Sequence, residues 1–184
     1  MIPYEPRYLY KPKNLIDVPT AWNGIESILH DLISRFCPDA TKCLEIGVDY
    51  GYSTVALSNF FASVVGVDTF EGDVHAGQRD NGMYERVRDS LLPYPNIRLV
   101  KSDYLKFFRN SPITAFDLTH IDIIHEYDAT CTCGEYALNC SRVVIFHDTR
   151  SFPEVMRAVS DLAIEFKADF YEWPQCHGVG ILVR

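Results

Sequence analysis

The sequence lacks the features that mark a membrane, secreted or repetitive protein. Its longest apolar runs, such as residues 143–146, fall far short of the ~18 residues that a membrane span needs. The first residues lack the basic and then apolar segments of a signal peptide, and we find no internal repeat. The 184 residues therefore predict a cytoplasmic globular protein without a membrane partner.

Positive charge is also scarce. Seventeen basic residues stand against 25 acidic residues, which gives a net charge of −8. Such a surface repels the phosphates of nucleic acid, and no basic run offsets this repulsion. The charge excludes nucleic acid as the expected partner and favours a neutral or cationic small molecule.

Apolar runs alternate with helical patterns along the chain and predict an α/β fold. The strands are expected at residues 42–47, 64–68, 97–100, 116–122, 142–146, 168–173 and 179–183. Most segments between them carry the periodicity of a helix with one buried face. A short link joins the last two strands and predicts an antiparallel hairpin. Five β–α alternations followed by a hairpin predict a doubly wound sheet.

The first 22 residues have the composition of an extended arm. Residues 1–20 contain four of the ten prolines and three tyrosines. We therefore divide the chain into an N-terminal arm, residues 1–22, and a single domain, residues 23–184. Three roles are open for the arm: a strap packed on the domain, a lid over a site, or an arm that forms a homodimer.

Acidic residues stand at or near the carboxyl ends of four predicted strands. They are Asp68, Asp103, Asp122 and Asp148. Doubly wound sheets bind their ligands outside these strand ends, so we expect the four carboxylates to line one crevice. Gly47 and Gly51 bracket the turn after the first predicted strand. The turn lacks both the dinucleotide fingerprint G-x-G-x-x-G and the P-loop, so it offers no evident phosphate cradle.

Four segments resemble class I S-adenosylmethionine-dependent methyltransferases. They are CLEIGVDYGYST, VVGVDTFEGDVHAG, HIDIIHEYDA and VVIFHDT. The similarity covers residues 40–184 and is greatest to the branch that contains macrocin-type sugar O-methyltransferases and cephalosporin-hydroxylase-like proteins. It implies a Rossmann-like, seven-stranded mixed sheet with a C-terminal antiparallel hairpin. It also implies S-adenosyl-L-methionine as cofactor and O-methylation of a small hydroxylated molecule, such as a sugar or natural product.

The same resemblance implies roles for residues at the strand ends. Gly47, Gly51 and Ser53 would lie against the methionine part of the cofactor. Asp68 would hold the ribose, and Asp103 would lie beside the adenine. The expected cofactor-binding set is Glu45, Gly47, Gly51, Ser53, Asp68, Thr69, Asp103 and Asp122.

In metal-dependent relatives, residues after the fourth and fifth strands bind a divalent cation, either Mg²⁺ or Mn²⁺. The matching residues here are Asp122, His147 and Asp148. An imidazole ligand suits Mn²⁺ better than Mg²⁺, which prefers oxygen ligands. Without a metal, a base must take the proton of the acceptor hydroxyl. The candidates for this catalytic role are Asp122, His125 and His147, of which we favour His125.

Two departures from the family pattern keep other functions open. Ile123 replaces the glycine that usually follows HID, and His147 stands where an oxygen ligand is usual. A second hypothesis is therefore a non-catalytic protein with a methyltransferase fold that binds or assembles with a partner. A third, an NAD-dependent oxidoreductase, is disfavoured because the glycine fingerprint is missing. Residues 1–22 and 70–82 are the segments expected to shape the acceptor pocket.

Overall fold

The computed structural model describes residues 1–110 and 115–184, and within these ranges it contains ten strands and six α-helices. The strands are β1 (Ile2–Pro3), β2 (Lys42–Ile46), β3 (Ser63–Asp68), β4 (Gly72–Asp73), β5 (Gly77–Gln78), β6 (Ile97–Lys101), β7 (Phe116–Ile121), β8 (Ser141–His147), β9 (Asp169–Trp173) and β10 (Val179–Val183). The helices are α1 (Leu29–Phe36), α2 (Tyr52–Ser58), α3 (Met83–Leu91), α4 (Tyr104–Asn110), α5 (Tyr127–Cys140) and α6 (Pro153–Glu165). A 3₁₀ turn, Ile25–Ile28, leads into α1.

Eight of the strands form one sheet in the order β1-β9-β10-β8-β7-β2-β3-β6. The five strands from β8 to β6 in this order are parallel, and β10 runs antiparallel to both of its neighbours. The predicted doubly wound fold with a C-terminal hairpin is confirmed, and all seven predicted strands are present. The eighth strand, β1, pairs with β9 at the edge of the sheet. It was not expected, because two residues in a proline-rich arm carry no strand periodicity.

Helices bury both faces of the sheet, which explains the continuous apolar run of β8. Val143 and Ile145 pack in the core formed with α1 and α2. Val144 and Phe146 point to the opposite face and pack in the core formed with α5 and α6. Successive residues of a strand face opposite ways, so a strand covered on both sides must be apolar throughout. In the described ranges, no helix is both long and apolar enough to cross a bilayer.

The β4–β5 hairpin forms a second, two-stranded sheet that sequence reasoning treated only as a loop. Gly72 has a φ of +73°, and a Cβ at this position would lie 1.9 Å from the carbonyl oxygen of Gly77. The close approach of the two backbones therefore requires glycine there. Each strand has only two residues, too few for any alternation of apolar and polar side chains to mark them.

Candidate active site

A cavity of about 680 Å³ opens at the carboxyl ends of the parallel strands. Its volume lies within the ~300–1,000 Å³ typical of small-molecule sites. The four strand-end carboxylates all line it: Asp68, Asp103, Asp122 and Asp148. The structure therefore brings together on one rim the carboxylates that we expected to share a crevice.

The predicted cofactor-binding residues divide into two groups among the described residues. Six line the cavity: Gly47, Ser53, Asp68, Thr69, Asp103 and Asp122. Gly51 is the N-cap residue that precedes α2, and a Cβ on it would meet the side chain of Leu91 at 3.2 Å. Glu45 is fully buried beneath the cavity, because the alternation of β2 turns its side chain towards the core under α2. The structure thus assigns Glu45 and Gly51 to the support of the site rather than to its surface.

Gly47 allows the turn between β2 and α2 to approach the end of β7. Its φ is +93°, and a Cβ at this position would lie 1.7 Å from the carbonyl oxygen of Asp122. A side chain here would have to displace one of the two strand ends. The backbone packing alone therefore explains this glycine, and it also brings the turn beside Asp122.

The carboxylate of Asp68 binds the backbone on two sides. Its Oδ2 accepts hydrogen bonds from the N–H groups of Val48 at 2.7 Å and Asp49 at 2.9 Å. Its Oδ1 accepts one from the N–H of Phe70 at 2.7 Å. A carboxylate offers about four lone-pair sites, so one remains for a ligand. Asp68 therefore fixes the β2–α2 turn in addition to lining the cavity.

Two smaller polar groups near Asp68 also act on the backbone. The Oδ1 of Asp103 accepts a hydrogen bond from the N–H of Leu105 at 2.8 Å and so caps α4. The hydroxyl of Thr69 accepts one from the N–H of Glu71 at 3.3 Å. Both side chains line the cavity, at the end that borders β3 and β6.

Two histidines and two aspartates form a compact cluster at the ends of β7 and β8. The Nδ1 of His147 lies 3.0 Å from Asp122 Oδ2 and 3.2 Å from Asp148 Oδ2. The Nε2 of His125 lies 2.8 Å from Asp148 Oδ2 and 3.7 Å from Asp122 Oδ1. Each carboxylate therefore faces both imidazole rings.

The surroundings of both imidazoles favour the doubly protonated, positively charged ring. The Nε2 of His147 donates to the carbonyl oxygen of Cys176 at 3.3 Å, while its Nδ1 faces two carboxylates. Burial lowers the pKa of His147, but Asp122 and Asp148 outweigh it and raise the pKa to about 10. The same balance raises the pKa of His125 to about 9. A general base needs a neutral ring, which these carboxylates disfavour, and the catalytic roles of Asp122, His125 and His147 stay predictions.

The aspartates show the reciprocal effect. Burial raises the pKa of Asp148, but the close imidazoles of His125 and His147 outweigh it and lower the pKa to about 2. The pKa of Asp122 is also lowered, because the same two imidazoles outweigh its burial. Both carboxylates are therefore charged near neutral pH, and the cluster is close to neutral as a whole.

The cluster also has the donor set of a metal site. Asp122, His125 and Asp148 each place one ligand atom within 4.8 Å of the other two. The buried ring nitrogens of His125 make no hydrogen bond with the described residues, so its short contact with Asp148 is bent. A metal cation in place of the proton on Nε2 of His125 would give this nitrogen a partner. This candidate set shares Asp122 and Asp148 with the predicted ligands, but it contains His125 in place of His147.

Aromatic rings cover this cluster, and sequence reasoning did not foresee most of them. The ring of His125 stacks on Phe152 with a centroid distance of 4.0 Å and an interplanar angle of 7°. His75, on the β4–β5 hairpin, lies 4.9 Å from His125 and 5.1 Å from Phe152. Ile123 lines the cavity beside them. These contacts join residues far apart in the chain, so no local pattern marks Phe152.

A salt bridge ties the hairpin to the other side of the cavity. The guanidinium of Arg79 donates two hydrogen bonds to Asp49 Oδ1, at 2.8 and 3.1 Å, and lies 4.9 Å from the ring centre of Tyr50. Burial raises the pKa of Asp49, and Arg79 acts against this rise. Sequence reasoning missed Arg79, because its partner is thirty residues away and neither residue belongs to a recognised motif.

The sequence model of a protein family described as "Methyltransferase domain" matches residues 44–149 of this chain. The chain belongs to this methyltransferase family. The matched range contains Gly47, Asp68, Asp103, Asp122 and Asp148, which are the residues that line the cavity at the strand ends. The family predicted from the sequence is therefore confirmed.

Other proteins resemble the chain to different extents. The uncharacterized protein y4gI of Sinorhizobium fredii is 30% identical over 118 residues, or 59% of this chain, and the chain spans 13% of the length of that protein. An O-methyltransferase from Bacillus cereus, solved in complex with SAH, is 18% identical with a TM-score of 0.66 over 91% of this chain and 83% of that chain. TomG from Streptomyces achromogenes, solved with SAM, is 18% identical with a TM-score of 0.60 over 83% and 76%. At this level of identity the two structures confirm the fold.

Proposed function

We propose that the protein transfers a methyl group from S-adenosyl-L-methionine to a hydroxyl of a small molecule, such as a sugar or another natural product. The observation that carries this proposal is the continuity of the cavity. It runs from Asp68 and Asp103 at one end to the cluster of Asp122, His125 and Asp148 at the other. Both a nucleoside and an acceptor therefore have polar partners along one open space.

The charge of the cavity supports a cationic ligand without phosphate. Six aspartates line it: Asp49, Asp68, Asp73, Asp103, Asp122 and Asp148. Arg79 balances Asp49, and the cationic His125 and His147 balance Asp122 and Asp148, so that Asp68, Asp73 and Asp103 leave an excess of negative charge among the described lining residues. S-adenosyl-L-methionine carries a positive sulfonium and no phosphate. TomG binds SAM, and the Bacillus cereus enzyme binds SAH, which is SAM without its methyl group and sulfonium charge; we extend this pair of ligands to the present chain.

Methyl transfer to oxygen is an in-line displacement, in which an O–CH₃ bond forms as the S–CH₃ bond breaks. Its main requirement is alignment of donor and acceptor, for which effective molarities are large. In the proposed arrangement Asp68 and Asp103 orient the nucleoside. The Gly47 turn contacts the cofactor from below and so determines how far it enters the cavity beside Asp122. The β4–β5 hairpin shields the reacting end from water.

The proton of the acceptor hydroxyl needs a destination. Asp122 is the candidate base if no metal binds, because its carboxylate is charged and the neighbouring imidazoles favour the cationic form. A divalent cation held by Asp122, His125 and Asp148 would lower the pKa of the hydroxyl, and its proton would then pass to solvent water. Two carboxylates and one imidazole favour Mn²⁺ over Mg²⁺. We propose the metal-assisted reaction, because it gives a partner to the ring nitrogen of His125, which makes no hydrogen bond with the described residues.

The direct test is the production of S-adenosylhomocysteine from S-adenosyl-L-methionine with a panel of catechols and monosaccharides. The protein is first treated with EDTA and then assayed with Mn²⁺, with Mg²⁺ and without metal. We expect turnover of at least one acceptor, and faster turnover with Mn²⁺ than with EDTA alone. Binding of the cofactor without turnover of any acceptor would favour the second candidate, a non-catalytic binding protein. Ile123 in the cavity wall is the observation that keeps this candidate.

Replacing Asp68 tests the nucleoside end of the cavity. Asp68→Ala should weaken the binding of S-adenosylhomocysteine by about 1–3 kcal/mol, because it removes hydrogen bonds to a charged group. Isothermal titration calorimetry measures this loss. Asp73→Ala is the matched control, since Asp73 also lines the cavity but its Oδ1 binds the N–H groups of His75 and Ala76 within the hairpin. Equal losses in the two variants would remove Asp68 from the proposed site.

A further inference from the structure

Four polar side chains form a hydrogen-bonded chain within the core, directly below the cavity. The indole N–H of Trp22 donates to the Nε2 of His120 at 3.2 Å. The Nδ1 of His120 lies 3.1 Å from Glu45 Oε1, and the hydroxyl of Thr54 donates to Glu45 Oε2. His120, Glu45 and Thr54 are fully buried, and Trp22 is 3% exposed. We call these four residues the Trp22 latch.

The hydrogens of the Trp22 latch have one consistent arrangement. An indole N–H can only donate, so the Nε2 of His120 must be an unprotonated acceptor. The Nδ1 of the same ring then carries the hydrogen and donates to Glu45. Every side-chain polar atom of the latch therefore has a partner. Removing one partner would leave a buried polar group unsatisfied, which costs about 1–3 kcal/mol.

The Trp22 latch connects the arm to the strand ends that carry the site. Glu45 and His120 are paired residues on β2 and β7, and each stands two positions before a cavity residue, Gly47 or Asp122. Trp22 and residues 19–21 form the cavity wall above them. The hydrogen bonds of the Trp22 latch therefore fix the position of the arm relative to the ends of β2 and β7.

The rest of the arm is fastened to the domain at several points. The hydroxyl of Tyr4 donates to Asp31 Oδ2 at 2.6 Å, and both residues are buried. The N–H of Tyr10 donates to the carbonyl oxygen of Ser27 at 2.8 Å. Further along, the N–H of Asn14 donates to a side-chain oxygen of Asn59 at 2.8 Å. Swinging this segment away as a lid would break buried hydrogen bonds at both of its ends.

The order of the strands indicates what the arm faces. Asp103 follows β6 and Asp68 ends β3, and these residues would hold the adenine and the ribose. The next strands along the sheet are β2 and β7, which carry the latch residues Glu45 and His120. A nucleoside lying along this order would extend its amino-acid tail over these two strands, beside residues 19–22.

We infer that His120 is a positioning residue, which fixes Trp22 and the arm as a rigid wall around the amino-acid tail of the cofactor. The inference rests on the proposed function for the identity of the ligand. Of the three roles considered for the arm, this inference favours a strap packed on the domain over a lid or a dimer arm.

Two substitutions of His120 separate its hydrogen bond with Glu45 from its hydrogen bond with Trp22. His120→Asn keeps a donor near Glu45 but removes the acceptor for Trp22. His120→Gln keeps an acceptor at the distance of Nε2. Trp22 and Trp173 are the two tryptophans of the chain, so indole N–H exchange is readily followed by NMR. We expect exchange at Trp22 to accelerate by about 5- to 150-fold in His120→Asn and much less in His120→Gln. The amide of Ile145 in β8 reports global unfolding and should keep its protection.

Ligand binding then separates positioning from general structural support. We expect His120→Asn to weaken S-adenosylhomocysteine binding by about 5- to 150-fold. It should leave the affinity for 5′-methylthioadenosine unchanged, because that nucleoside lacks the amino-acid tail. Equal losses for both ligands, or fast indole exchange in the unaltered protein, would overturn the inference. If the unaltered protein binds neither nucleoside, the proposed function fails, and accelerated exchange in His120→Asn alone still supports the latch.

Discussion

Asp122→Asn should lower the rate of methyl transfer by about 10²- to 10⁴-fold, the contribution typical of a group that handles the proton in the transition state. Asp122 lies within 3.0 Å of His147 and 3.7 Å of His125, and it belongs to the group of residues that could hold a cation. Both routes considered for the acceptor proton therefore use this carboxylate. The measurement is the initial rate of S-adenosylhomocysteine formation with Mn²⁺ present.

The matched control for this prediction is Asp89→Asn. Asp89 is an exposed carboxylate that pairs with Arg88 and does not line the cavity. Its loss removes the same charge from the protein without touching the cluster, so the rate should not change. An Asp122→Asn variant as fast as this control would exclude Asp122 from the reaction.

Gly47→Ala should abolish cofactor binding and lower the free energy of unfolding by at least about 2 kcal/mol. A left-handed backbone costs a residue with a side chain about 1–2 kcal/mol. The new methyl group would in addition meet the carbonyl oxygen of Asp122 at 1.7 Å, so the strand end must move. Chemical denaturation measures the stability, and calorimetry with S-adenosylhomocysteine measures the binding.

Gly77→Ala provides the comparison for this variant. Gly77 also has a positive φ, +79°, but a Cβ there would meet only the side chain of Arg79, at 3.9 Å. We expect the backbone cost alone, about 1–2 kcal/mol, and retained cofactor binding. If the two variants behaved alike, the close packing of the Gly47 turn on Asp122 would not matter for the site.

The main sheet was predictable from the sequence because its strands are buried on both faces. Residues 142–146 are apolar throughout, and a run of this length between helical patterns leaves few alternatives. The strands Ile2–Pro3, Gly72–Asp73 and Gly77–Gln78 were not predictable. Each of these strands has only two residues and forms because another segment of the chain pairs with it. The pattern of apolar and polar residues within it therefore carries no information.

The candidate site was predictable to the level of strand ends and no further. Parallel strands end at the same edge, so Asp68 and Asp122 had to approach one another. The partners of each side chain depend on loops instead. His147 turns its Nε2 to the carbonyl of Cys176, twenty-nine residues away, and His125 stacks on Phe152. These two contacts fix the orientation of the imidazole rings, and neither has a sequence signature.

The position of Glu45 differs from the one that its sequence motif indicates. It precedes Gly47 in a segment typical of cofactor-binding turns, so its carboxylate was expected at the ligand. In the fold it faces the core and binds His120 and Thr54. The period of two along a strand indicates that Glu45 and Gly47 share a face, but only the packing of α2 and Trp22 decides that Glu45 is covered.

Calorimetric titration of the protein with S-adenosyl-L-methionine, S-adenosylhomocysteine and NAD⁺ distinguishes a methyl-donor site from a dinucleotide site. We expect one site that binds both sulfur-containing nucleosides and does not bind NAD⁺, because the Gly47 turn has no phosphate cradle and aspartates line the cavity. Preferential binding of NAD⁺, or no binding of either sulfur-containing nucleoside, would contradict this expectation.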